Sequence, residues 1–210
     1  MPSAGLSRKR LATRRAISDV ATRLFYERGF DQVTVDEIAA AADVGRMTVF
    51  TYFPRKEDMF FDLDEYGRVD LVMALRQRKP DTPPIETLRQ FAHGVVEEKM
   101  PYVRFSPGSQ LFFVTIKASE ALKARARAIR DEVTALLAVA LAESVGRSAD
   151  DLDAYLASNF VVTTWCVAFI KAHEAYQGSQ NAEEAQALFL KLIDRGAVGL
   201  NALLAGTPYA

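Results

Sequence analysis

The sequence predicts an all-α fold. Apolar residues recur at helical spacing through nearly every segment, and no segment alternates with the period of two that a half-buried strand requires. Clusters of Gly, Pro, Asn, Asp and Ser stand between the periodic stretches and mark their ends. With 210 residues, 50% hydrophobic and 25% charged, the chain can bury a sizeable core, as one large domain or as a small one joined to a medium one.

From the N-terminus, Ile17, Val20, Ala21, Leu24 and Phe25 form the apolar face of a first helix, and Gly29 stands where a C′ glycine would end it. Thr34 opens a second. Its side chain can cap, Glu37 can reach back, and Val33 can staple onto Ile38, which predicts a helix over 35–41. After the break Ala42-Asp43-Val44-Gly45 comes a short helix from Arg46 to about Phe53, which Pro54 cannot continue. Glu57 and Asp58 suit the first turn of a helix over 57–78. Lys79-Pro80-Asp81-Thr82-Pro83-Pro84 separates it from one over 85–99, and Ser106-Pro107-Gly108 precedes another over 110–118. A long helix follows to Ser144. Beyond Gly146-Arg147-Ser148, with Ser148 as the expected cap, a helix is predicted over 150–176. Asn181 with Glu184 starts the last helix, which ends near Gly206.

Composition narrows the function classes. The single Cys166 leaves no intramolecular disulfide and fits a reducing cytoplasm. Two histidines (His93, His173) and one cysteine are scant material for a metal site, and neither a metal nor a cofactor is expected. The longest unbroken apolar run, Ala135 to Ala142, has eight residues, so neither a membrane span nor a secretory signal is expected. The net charge of −1 hides a split. Residues 1–56 hold ten Lys/Arg against six Asp/Glu, net +4, while the remainder carries −5. A basic first quarter on an acidic body points to an anionic partner at one end.

Two short helices across a tight turn, behind a basic helix, are the arrangement of a helix-turn-helix DNA reader. With Val49 and Phe53 turned inward, Met47 and Thr51 fall near the opposite side. Thr48 and Phe50 flank them, and Arg46 and Tyr52 stand nearer the rim. A solubilising face would be rich in Lys and Glu; this one is small and chemically mixed, with side chains sized for base edges in a major groove.

The run Thr13-Arg14-Arg15 through Leu24-Phe25-Tyr26-Glu27-Arg28-Gly29-Phe30 resembles the start of the tetracycline-repressor (TetR) family. So do Thr34-Val35-Asp36-Glu37-Ile38-Ala39, Ala42-Asp43-Val44, Thr48-Val49-Phe50, Tyr52-Phe53 and Lys56-Glu57-Asp58, a match over about residues 10–60. The resemblance implies a bacterial regulator of about nine helices. Position by position, it implies Thr34 at a phosphate, and Arg46, Met47, Thr48 and Thr51 at bases or nearby phosphates. It further implies Tyr52 on the DNA backbone and Lys56 on a phosphate. Three departures stand out. Phe50 replaces the usual tyrosine and is read as core packing. Asp43 replaces a turn glycine, and Gly45 and Arg55 replace serine caps. The Arg8-Lys9-Arg10 arm is read as disordered, with a minor-groove path as the alternative.

The expected organisation is an arm and helix-turn-helix domain over 1–56, then a ligand-binding and dimerisation domain over 57–210. The resemblance implies a homodimer through the last two helices, where Leu188, Phe189, Leu192, Ile193, Leu200 and Leu203 would pack and Gly196 and Gly199 allow close approach. It also implies a ligand cavity among Phe91, Tyr102, Phe105, Phe112, Phe113, Trp165 and Phe169, with His93, Cys166 and His173 as polar lining. Phe112, Trp165 and Phe169 are the residues named for an apolar or aromatic effector. The resulting reading is a cytoplasmic, non-enzymatic repressor that binds a palindromic operator in double-stranded DNA and is released by a small molecule. The alternatives are an activator of the same fold, a helical protein-binding module, or an enzyme built on Cys166, for which no catalytic constellation is found.

Overall fold

In the computed structural model, which describes residues 4–62 and 64–210, every regular element is helical. The order is α1 (Ala4–Arg28), α2 (Val35–Ala41), α3 (Arg46–Tyr52), α4 (Lys56–Phe60), α5 (Asp64–Arg76) and α6 (Pro84–Glu97). Then come α7 (Pro107–Ala118), α8 (Glu120–Ser144), α9 (Leu152–Ser179) and α10 (Ala182–Leu203), with 3-10 turns at Phe30–Gln32 and Pro101–Val103. The predicted class holds, with ten α-helices among the described residues where about nine were expected.

The chain forms two compact units. The first comprises Met1–Asp62 with Leu111–Arg125, and the second Leu63–Gln110 with Ala126–Ala210. The first unit is therefore discontinuous in sequence, where the composition reading draws one boundary after residue 56. Its core is built from Ile17, Ala21 and Phe25 of α1, Ile38 of α2, Val49 and Phe53, and Met59 and Phe60 of α4, closed by Leu122 of α8. Phe112 of α7 stacks on Phe60 with ring centroids 4.7 Å apart and planes 5° from parallel. The second unit packs α5, α6, the rest of α8, α9 and α10 around Leu137, Leu141, Ala157, Phe189 and Leu200. In its last turns Tyr209 is buried, and its hydroxyl donates to Asp151 at 3.0 Å.

Several local expectations change. The basic arm is helical: α1 starts at Ala4, contains positions 8–10 and is followed without a breaker to Arg28; Met1–Ser3 lie outside the described residues, as do the side chains of Arg8 and Tyr102. The helix predicted over 57–78 is two, α4 and α5, and they fall in different units. The cap of α9 is Asp151, whose carboxylate accepts the Ala154 amide at 2.9 Å; Ser148 lies too far upstream. Asn181 caps α10 as expected. Finally, α9 is long and apolar enough to cross a membrane by length and composition, although no apolar run in the sequence is. The reason is its two-sidedness: Ala154, Ala157, Val161, Ala168 and Ala172 are buried in the second unit while Leu156, Phe160, Val167 and Ile170 are exposed.

α9 and α10 pack tightly at Gly196, where an added Cβ would stand 2.4 Å from Thr164 Cγ2 and 2.9 Å from its Oγ1. Gly196 thus serves packing within one chain, whereas Gly199 faces open space. Gly196→Ala should destabilise the protein by ~1–3 kcal/mol through overpacking, more than the ~1 kcal/mol that alanine gains over glycine inside a helix. Adding Thr164→Ala should return most of that loss in thermal unfolding. A Gly196→Ala protein as stable as the parent would contradict the contact.

Candidate nucleic-acid interface

The helix pair at the front of the first unit is held by local chemistry legible in sequence. Thr34 Oγ1 accepts the Glu37 amide at 3.3 Å, and Glu37 Oε2 accepts the Thr34 amide at 2.8 Å, a complete capping box. Val33 and Ile38 are both buried in one cluster, as the staple predicts. The Glu37 carboxyl is held down to about 2, first by the Thr34 amide and then by Arg28, whose Nη2 donates to it at 2.7 Å. The turn between α2 and α3 places Asp43 at φ 52°, the left-handed geometry that glycine adopts freely and Asp more readily than most residues.

Val49 of α3 and Phe53, which caps its end, are fully buried, as the wheel predicts. The opposite face presents Arg46, Thr51 and Met47, the last 76% exposed, with Thr48 half-buried beside them. A methionine so exposed has no core role. Thr51 Oγ1 donates to the Met47 carbonyl at 2.9 Å and stays exposed. Phe50 is half-buried rather than enclosed, and its ring lies 5.6 Å from the Arg46 guanidinium, so its part is against that cation rather than in the buried core. Both carboxylate oxygens of Asp36 accept from Arg46 Nη1, at 2.8 and 3.1 Å.

Neither end of α3 has a side-chain cap from a neighbour in sequence; Gly45 supplies none at the start. The far end is closed by α1. Arg14 Nη1 donates to the Tyr52 carbonyl at 3.0 Å, its Nε donates to Asp62 at 2.9 Å, and its guanidinium covers the Phe53 ring at 4.5 Å. A cation there satisfies a terminal carbonyl and complements the negative end of the helix dipole. Lys56 Nζ donates to the carbonyls of Phe30 and Val33, each at 2.8 Å, and sits 4.1 Å above the Phe30 ring. Burial pushes its pKa down, against the pull of Asp31, Glu57 and Glu37. Two of its three N–H groups are thus spent on the turn before α2, and one remains for an outside anion. Tyr52 is half-buried against the core.

Sequence reasoning missed Arg14 and Asp36. Arg14 lies within a quoted motif, but its partners are 38 and 48 residues away, and no local pattern announces them. The Asp36–Arg46 pair spans ten residues and two helices and depends on the angle of the turn.

Residues 17–63 match the family model described as bacterial regulatory proteins, tetR family. This N-terminal segment is similar to the DNA-binding part of the TetR family. One 51-residue stretch is 47% identical to MftR of Mycobacterium tuberculosis, named for transcriptional regulation of mycofactocin biosynthesis, and covers 24% of this chain and 26% of that one. Another, of 88 residues, is 34% identical to AcrR of Shigella flexneri, an HTH-type transcriptional regulator, over 40% of each. The chain thus spans between 26% and 40% of the length of these curated relatives. Among solved structures, Thermus thermophilus FadR, a TetR-family transcriptional repressor in complex with lauroyl-CoA, superposes with a TM-score of 0.52 at 25% identity, over 87% of this chain and 94% of that one.

The residues named for a ligand separate. Phe112 belongs to the first unit, against Phe60 and Phe61. Trp165 and Phe169 belong to the second, where Trp165 stacks with Phe91 and both meet Phe189. A shallow cleft lies between α6, α9 and α10, lined by Leu88, Thr164, Trp165, Ile193 and Gly196 among others. Arg89 stands at this cleft, bonded to Glu86, to Asp194 at 3.0 Å and, at 3.3 Å, to His93. Cys166 is half-buried, and burial pushes its thiol up, the direction opposite to that of an activated nucleophile.

Proposed function

We propose that this chain is a ligand-responsive transcriptional repressor that binds a palindromic DNA operator as a homodimer. The observation that carries the reading is the outer face of α3: a buried Val49 and Phe53 behind, and an exposed Arg46, Met47 and Thr51 in front. Arg46, Met47, Thr48 and Thr51 are assigned to base edges or adjoining phosphates, with Met47 against a thymine methyl. Thr34 and Tyr52 are assigned to the DNA backbone, and Lys56 to a phosphate through its remaining donor. Work of this kind belongs in the cytoplasm.

One such helix reads few base pairs, and specific affinity requires two, about 34–36 Å apart on one side of the duplex. The exposed apolar stripe of α9 and the exposed Val198 and Leu203 of α10 supply a dimer face. Leu200, Phe189 and Ile193 are buried within the chain's own core and are not assigned to it. The same stripe accounts for the apolarity of α9 without a lipid environment.

The effector is assigned to the second unit, at the Trp165 cleft with Phe169 behind it. The mostly apolar lining of the cleft, with the Trp165 ring in it, suits an apolar or aromatic molecule, which would have to widen it on binding. FadR, named in complex with lauroyl-CoA, supports an effector-responsive reading. An effector that binds better to a DNA-incompetent arrangement lowers operator affinity by that difference, and a tenfold loss needs only ~1.4 kcal/mol of coupling.

The test is selection from a random duplex library followed by affinity against salt. A palindromic motif should emerge, and affinity should fall steeply and log-linearly with salt as phosphate counterions are released. Binding that ignores both sequence and salt would overturn the assignment.

A further inference from the structure

Resting on the DNA-reading proposal above, we infer that Asp36 is the residue that sets Arg46 to read a guanine. Asp36 is the second residue of α2 and Arg46 the first of α3, so their side chains meet across the helix-turn-helix corner. Both Asp36 oxygens lie on one nitrogen of the guanidinium, Nη1. Five N–H donors radiate in the guanidinium plane, and this contact occupies one corner of it. The edge formed by Nε and Nη2 keeps two parallel donors, and neither has a partner among the described residues. Two parallel donors in one plane are what the O6 and N7 acceptors of guanine require in the major groove.

A phosphate would fit the same fork by geometry. Charge decides against it. A phosphate drawn to Nε and Nη2 would approach the Asp36 carboxylate on the neighbouring corner, and two anions there repel. The acceptors of guanine are neutral and escape that repulsion. Phe50, one turn along α3, bounds the guanidinium from another side at 5.6 Å, within the ~6 Å reach of a cation–π contact. A carboxylate at one corner and a ring at its side restrict a long, flexible side chain to one pose before DNA arrives. Both side chains remain well exposed, at 59% for Arg46 and 63% for Asp36. Such a pair adds little to folding stability, so its geometry is free to serve recognition.

Duplex-library selection on the intact protein and on Asp36→Ala, Asp36→Asn, Arg46→Ala and the Asp36→Ala/Arg46→Ala double variant tests this. The parent should select a motif with guanine at one position of each half-site. Both Asp36 variants should lose that guanine preference by ~10-fold or more while keeping the rest of the motif, in line with what one bidentate base contact discriminates. Arg46→Ala should lose the same position, and the double variant should be no worse than Arg46→Ala alone. Affinity for random duplex should be unchanged or higher in the Asp36 variants, because a negative charge has left the face, which a merely destabilised fold would not produce. A motif unchanged in both Asp36 variants, or a further loss in the double variant, would overturn the role of Asp36 and leave the DNA-reading proposal standing. A parent that selects no motif at all would overturn both.

Discussion

Val198→Glu should leave the chain folded but monomeric, and should lower its affinity for a palindromic duplex by at least ~100-fold, the low end of what joining two binding modules contributes. Val198 is 71% exposed on α10, so in a lone protomer a carboxylate there meets only water and the thermal midpoint should barely move. In an apolar dimer face the same carboxylate is desolvated opposite a second copy of itself, and neither charge has a partner. Gly199 next to it has open space around its Cα, which would let a partner helix come near. Sedimentation or light scattering reports the assembly state, and anisotropy on a palindrome and on its isolated half-site reports the affinity. The half-site should bind parent and variant alike. A variant that stays dimeric would remove this face from the proposal, and a monomer with full palindrome affinity would remove the need for a dimer.

The second large effect concerns pH. His173 on α9 is buried, with its ring 4.8 Å from that of Phe105, and burial lowers its pKa from 6.5 to about 4. The folded value lies below the unfolded one, so between the two the unfolded chain takes up a proton that the folded chain refuses. This contribution to stability is complete above about pH 6.5 and is lost as the pH falls toward about 4, where the folded form titrates too. The whole window amounts to roughly 3 kcal/mol, at ~1.4 kcal/mol for each tenfold difference in proton affinity between the two states. Urea unfolding at several pH values between 7 and 4 should therefore show parent stability declining more steeply than that of His173→Gln, which cannot charge. Carboxylates titrate in both proteins and cancel in the difference. Parallel profiles would mean that His173 protonates in place.

The first unit was largely legible because its signals are short-range. The Thr34–Glu37 box, the Val33–Ile38 staple, the left-handed Asp43 and the inward Val49 and Phe53 each depend on residues within a few positions of one another. Fold class and element order follow from the same local periodicity. What escaped depends on where distant segments meet. Phe112 is an aromatic in a helix on any wheel, and only the tertiary fold places it on Phe60 instead of near Trp165. Leu200 and Val198 are two positions apart and equally apolar, yet one is core and the other surface, because α10 packs on α6 and α9 with one side only. The break between α4 and α5 has no proline or glycine to announce it. Lys56 carried an outward role by resemblance, while its reach to two carbonyls could be seen only once the Phe30–Gln32 turn was placed.

The discontinuity of the first unit also bears on how the chain is made. A ribosome that has reached Asp62 has synthesised α1 to α4, yet Phe60 still lacks its stacking partner Phe112, and the core still lacks Ile116 and Leu122. Maturation of the N-terminal piece therefore waits until translation has passed Arg125. Any graft that transplants it as a contiguous cassette ending at Asp62 would carry an oily, uncovered seat into its new host.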